Sequence, residues 1–217
     1  MESAKFALFL LLALAPALLL REYARSLAAD RLGDPTPRRW GRLSLSPKRV
    51  IDPFGSGILP ALILLLWASG APYHPPPFAY ARPPALDPSY LKNRDRDTTI
   101  ISLAGPLTNL GIAVVAGILM RFGFTGDLRE LVFAFLYVNL VMFVFHLMPI
   151  PGLDGARILA RFLPPRVREA YSNLDQWIHA FMLLIFFLLA NPMLSIVNGL
   201  AGGVCRVVAG SLNCPLL

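Results

Sequence analysis

Arg21-Glu22-Tyr23-Ala24-Arg25 puts two residues four apart on one helical face, with a glutamate directly after the first. Were both outer positions histidine, two imidazoles could bind one zinc ion from that face while the carboxylate activated a water. Arginine is permanently charged, has no lone pair to give and cannot ligate zinc. The spacing of a metal site is present without its ligands.

Other polar residues in apolar surroundings are candidates by position. Asp154 lies in Leu153-Asp154-Gly155, after Pro149-Ile150-Pro151-Gly152, a sequence that reads as a turn by itself. His146 ends an apolar run, where a lone histidine is more often packed and hydrogen-bonded than a ligand. Together with Asp154 and His74 it is the alternative donor set for a rewired metal site, although ligands spread across a proline-rich turn rarely reach tetrahedral geometry. Asn109 and Asn139 read as hydrogen-bonding groups between helices, and His179 as a polar residue inside a late helix. Arg21 and Arg25 either snorkel into the headgroup layer or need carboxylate partners within the membrane. Cys205 and Cys214 lack the spacing of a metal knuckle, leaving a disulfide or two free thiols.

The elements that must hold these residues are membrane helices. The chain has 217 residues, 56% hydrophobic and 15% charged, with mean hydropathy +0.59. It is too apolar for an ordinary soluble domain. A helical crossing needs about 20 apolar residues. Spans are expected near 5–32, 52–70, 98–121, 131–148 and 176–200, the second being short for a full crossing, so that it either extends back toward Ile51 or stops partway into the membrane. The first run follows only Lys5 and is weakened as a leader by Glu2, with no convincing cleavage site, so it is expected to remain and to continue to Gly33-Asp34-Pro35. This gives an all-α polytopic membrane protein, a single membrane domain over 1–217, with about five transmembrane helices. Gly33–Pro53 alternates in part and reads as a short β-hairpin-like segment against the membrane. The segment 71–97, with Pro75-Pro76-Pro77 and Pro83-Pro84, reads as an extended connector.

Net charge is +7. The arginines and lysines cluster in connections and no nucleic-acid motif accompanies them, so they read as anchors to anionic lipid, and nucleic acid is excluded as a partner. With five spans the basic loops alternate sides, and the positive-inside rule does not fix orientation. Arginine outnumbers lysine 17 to 3, which fits a GC-rich bacterial genome.

Seven blocks occur in order along Phe6–Leu163. The first two are Arg21–Arg25 and Gly33-Asp34-Pro35-Thr36. Gly41-Arg42-Leu43-Ser44-Leu45-Ser46-Pro47 and Ile51-Asp52-Pro53-Phe54-Gly55 follow. Then come Ala79-Tyr80-Ala81-Arg82-Pro83, Ala104-Gly105-Pro106-Leu107-Thr108-Asn109 and Phe145–Gly155. In this conjunction the chain resembles the site-2 proteases, polytopic intramembrane zinc metalloproteases. The resemblance implies that Glu22 stands at the general-base position and Asp154 at that of a third zinc ligand. Arg21 and Arg25 would occupy the two lost histidine positions, and Asn109 would lie near the peptide or steady the site. His146 and Gly152 are two further departures, where the family usually has asparagine and a second proline.

A site of that family balances a divalent ion and two imidazoles against two carboxylates. Two guanidinium groups against Glu22 and Asp154 also sum to zero, so an arginine side chain is expected beside Asp154. The expectation is a pseudoenzyme with no cofactor, binding a transmembrane helix of a membrane protein, or an active protease relative, within the lipid bilayer. The alternatives are an active zinc metalloendopeptidase with atypical or partner-supplied ligands, an anion or solute transporter lined by Arg21 and Arg25, and a structural membrane subunit.

Overall fold

The computed structural model describes residues 2–69, 78–82, 86–164 and 166–169, with isolated positions from 188 to 207. Helix α1 (Glu2–Arg31), α5 (Arg94–Leu119) and α6 (Gly126–Leu147) are each long and apolar enough to cross a membrane. At about 1.5 Å per residue each exceeds the roughly 30 Å of a hydrocarbon core. The described residues are all-helical with no strand, the architecture of an integral membrane protein. Pro16 lies inside α1 and Pro106 inside α5, as membrane helices tolerate where neighbouring groups re-satisfy the backbone carbonyl that a proline frees.

The three long helices pack on one another, with α6 the most enclosed. Leu136, Leu140, Val141 and Phe145 of α6 are fully buried. Ala13 and Ala17 of α1, and Ala113 and Ala116 of α5, are buried where the backbones approach. Small residues suit such contacts in lipid, because close packing there replaces the hydrophobic drive of water. Leu8 and Leu12 of α1 and Leu107 and Val115 of α5 point outward, where hydrocarbon is the solvent.

Helix α1 stops at Gly33, whose φ of +109° disfavours a side chain. The amide of Asp34 then donates to the carbonyl of Ala29 at 3.0 Å. The buried Asp34 carboxylate accepts from the amides of Thr36 at 2.9 Å and Asp87 at 2.8 Å, tying this corner to the segment before α5. Helix α5 starts four residues before the expected 98 because Asn93 caps it. The Asn93 side chain accepts from the amide of Arg96, and Asp97 accepts from the amide of Asn93.

The expected hairpin at Gly33–Pro53 is corrected. Two four-residue helices stand there, α2 (Thr36–Arg39) and α3 (Pro47–Val50), each with proline in its first turn. Gly41, at φ +64°, separates them, and the backbone bonds run locally, such as Trp40 to Thr36 and Ile51 to Pro47. Proline preset for a first helical turn outweighs the partial alternation.

The expected span at 52–70 also differs. A π-helical turn (Pro53–Ile58), capped by Asp52, leads into α4 (Leu59–Ala68). The continuous helical stretch from 53 to 68 has 16 residues, short of the about 20 that a full crossing needs. The amide of Tyr80 donates to the carbonyl of Gly55, and the Ser56 hydroxyl to the carbonyl of Tyr80. The chain that leaves along α4 is thus back beside its starting point at residue 80. Phe78, fully buried, packs its ring on that of Phe145. The span expected at 176–200 lies mostly outside the described residues, and His74, His179, Cys205 and Cys214 lie wholly outside them.

Candidate functional site

The last turns of α1 carry Arg21, Glu22 and Arg25 inward, against α5 and the start of α7 (Asp154–Ala160). Gly105 makes room for them. A Cβ there would stand 3.0 Å from Cδ of Arg25 and 3.1 Å from Cγ of Arg21. At the end of α6 the chain turns through Pro149–Leu153, with Gly152 at φ +89°, and delivers Asp154 as the first residue of α7. Gly155 lets this turn close, since a Cβ there would lie 2.2 Å from the carbonyl oxygen of Leu147.

Four charges meet in this space. Arg21 pairs with both Glu22 and Asp154. Arg25 lies 3.2 Å from Oε1 of Glu22 and 3.1 Å from Oδ1 of Asp154. Each of these side chains is at most 6% exposed. Two cations and two anions alternate around a closed ring, so every charge has two opposite neighbours. A lone guanidinium at this depth is costly, and the ring offsets part of that cost without a metal by giving each charge two opposite neighbours. The contact expected between an arginine and Asp154 is present twice. Arg42, partly buried, borders the ring: burial pushes its guanidinium below the ordinary arginine value, while the charge of Glu22 acts against that shift.

Zinc does not fit this donor set. Its ligands are thiolate, imidazole and carboxylate groups, three or four around one point. Both oxygens of Asp154 face guanidinium nitrogens, as does Oε1 of Glu22, and two fixed cations repel a third. Among the described residues no three His, Cys, Asp or Glu side chains converge.

A second set of polar groups is buried without partners. Neither amide atom of Asn109 has a hydrogen-bond partner among the described residues, nor has Oγ of Ser102 or either ring nitrogen of His146. Asn109 lies one helical turn beyond Gly105, on the same face of α5. His146 lies edge-on to Phe145 and within 5.9 Å of the Phe78 ring. Asn139 donates through Nδ2 to the carbonyl of Phe135 within its own helix, while its Oδ1 has no partner among the described residues. Sequence reasoning singled out neither Ser102 nor Arg42 as a site residue. Ser102 gave no signal, while Arg42 stands inside one of the matched blocks.

This geometry is that of a helical membrane protein with a buried polar centre between its first and later helices. Over 188 residues the chain is 30% identical to "Putative zinc metalloprotease YwhC" of Bacillus subtilis, matching 82% of this chain and 80% of that protein. It is 33% identical over 184 residues to "Putative zinc metalloprotease Rip2" of Mycolicibacterium smegmatis, matching 82% of this chain but 65% of that longer protein. A 60-residue stretch is 42% identical to "Putative zinc metalloprotease MJ0611" of Methanocaldococcus jannaschii. The chain belongs to this site-2-protease-like family of zinc metalloprotease homologues. No protein-family model matches it, and no solved structure does.

Proposed function

We propose that this protein is a pseudoprotease: a multi-pass bacterial membrane protein of the site-2 protease type that binds a transmembrane helix, or an active relative, without cutting it. The observation that carries the reading is the closed ring of Arg21, Glu22, Arg25 and Asp154. Peptide hydrolysis by this family type needs a metal to make hydroxide available at neutral pH. With arginines at two ligand positions, Glu22 has no bound water to act on, and Asp154 is an ion-pair partner in place of a ligand.

Retained binding is supported by the groups left over. Asn109 carries one donor set and one acceptor, both buried and both unmet among the described residues. A peptide group offers the complementary acceptor and donor, and a partly unwound helix would present such groups. The competing reading is an active peptidase whose ligands come from a partner, which the names of the relatives favour.

The test is the double change Arg21→His with Arg25→His, measured for zinc content and for cleavage of a model transmembrane peptide. Stoichiometric zinc and cleavage are expected in the double variant, with neither in the parent chain. Stoichiometric zinc in the parent that disappears on Asp154→Ala, or hydrolysis by the parent alone, overturns the proposal.

A further inference from the structure

The ring leaves part of each arginine unused. The Nη1 and Nη2 atoms of Arg21 and Arg25 all face Glu22 or Asp154. Nε of both arginines is buried without a hydrogen-bond partner among the described residues. Nε sits on the stem of the planar guanidinium, so these two donors lie away from the carboxylates. The stems run against Gly105, where a Cβ would stand 3.0 Å from Cδ of Arg25 and 3.1 Å from Cγ of Arg21.

Ser102 and Asn109 lie three residues before and four after Gly105, on the same face of α5. Neighbours at that spacing stand about 5–6 Å apart at Cβ. Helices α1 and α5 run antiparallel: Gly33 lies beside Tyr90, just before α5, and Lys5 beside Asp127, just after it. This places Arg25 nearer Ser102 and Arg21 nearer Asn109. Both α5 side chains are buried, and neither the hydroxyl nor either amide atom has a partner among the described residues. Five polar atoms thus share one seam between α1 and α5 without a protein partner.

What these atoms require narrows the ligand. Buried polar groups left unpaired are rare, and each calls for a partner. The two Nε–H groups only donate, the Asn109 amide needs both a donor and an acceptor, and the hydroxyl serves as either. The charges of the ring already sum to zero, so an ion would bring unbalanced charge to a buried place. A neutral molecule that donates and accepts at once suits all five atoms. Water does so, and through two hydrogen bonds one molecule joins groups about 5–6 Å apart.

We infer that ordered water occupies the seam between α1 and α5, bridging Nε of Arg25 to Ser102 and Nε of Arg21 to Asn109. The site is on the stem side of the guanidinium groups, away from Glu22, and no metal activates its water. It belongs to the free chain and does not rest on the pseudoprotease reading. A peptide group that reached Asn109 would displace one of these molecules.

The experiment is NMR on the isotope-labelled full chain in detergent, reading magnetisation transfer from water to side-chain N–H protons. Direct transfer with the sign of long-lived bound water is expected at Nε–H of Arg21 and Arg25 and at the Asn109 amide. None is expected at the backbone amide of buried Ala113, one turn beyond Asn109. Asn109→Leu then separates a wet seam from a dry one. In a dry seam it removes an unpaired amide and raises Tm. In a hydrated seam it strands Nε of Arg21, lowers Tm and abolishes the water signal there, which is the expected result. Ser102→Ala is the counterpart at Arg25 where Asn109→Leu does not fold. Absence of water transfer at both Nε–H groups of the parent chain overturns the inference. So does a Tm raised by either variant, or a water signal unchanged at both arginines in the folded variants.

Discussion

At the scale of single residues, the ring of Arg21, Glu22, Arg25 and Asp154 behaves as one unit, since each member completes the pairing of two others. Removing one carboxylate leaves buried positive charge uncompensated. Asp154→Ala is expected to destabilise the fold by about 3–5 kcal/mol, read as a large fall in Tm in detergent. Arg25→Gln combined with Asp154→Asn is expected to cost less than the sum of the two single changes, because each single change strands a charge that the double change removes. Additive losses in that cycle would mean the side chains do not share one cluster. The candidate residues were legible because arginine in an apolar run demands a partner, and Asp154 was the acid on offer. The unmet Asn109 amide was not legible as such, because whether a buried amide finds a partner depends on neighbours far away in sequence.

At the scale of elements, glycine decides how closely α7 approaches α6. The carbonyl oxygens of Leu147 and Met148 lie 2.2 Å and 2.4 Å from where a Cβ on Gly155 would stand, and backbone cannot move aside as a flexible side chain can. Gly155→Ala is therefore expected to displace Asp154 and lower Tm by more than Gly105→Ala, whose added methyl meets only arginine methylenes at 3.0–3.2 Å. Equal effects of the two would argue against the close turn. The three long helices were readable from apolar length alone, although their limits moved by up to five residues: Asn93 caps an earlier start of α5, and α6 begins at Gly126 without a side-chain cap. The segment 33–53 was misread, because in runs of four residues one proline or glycine outweighs any alternation. The link from Tyr80 to Gly55 could not be read locally, yet it explains why Ile51–Gly55 and Ala79–Pro83 both stand among the matched blocks.

At the scale of the whole molecule, the return of the chain at Tyr80 changes the count of sides. Counting 52–70 as a crossing makes the basic loops alternate. With Tyr80 back beside Gly55, they gather at one end. Lys5 pairs with Asp127 and Glu130, so the start of α1 lies with the start of α6, near Arg121 and Arg129. The other end carries Arg31, Arg38, Arg39, Arg94, Arg96, Arg157, Arg161 and Arg168, with Asp34 joined to Asp87 between them. Basic residues favour the cytoplasmic side, so the end of α1 that bears Arg31 is expected to face the cytoplasm. Cysteines placed at Arg161 and at Phe122, with Cys205 and Cys214 replaced by serine, check this by labelling in intact cells. An impermeant maleimide is expected to reach position 122 and not 161, and the reverse pattern refutes the orientation.

The paired charges also bear on descent. Arg21→His alone leaves one guanidinium facing two carboxylates, and so does Arg25→His alone. Each first step back toward ligand chemistry meets an imbalance before any metal can relieve it. On the pseudoprotease reading proposed above, the two arginines hold each other in place like a ratchet, and zinc chemistry at this site requires both positions to change together.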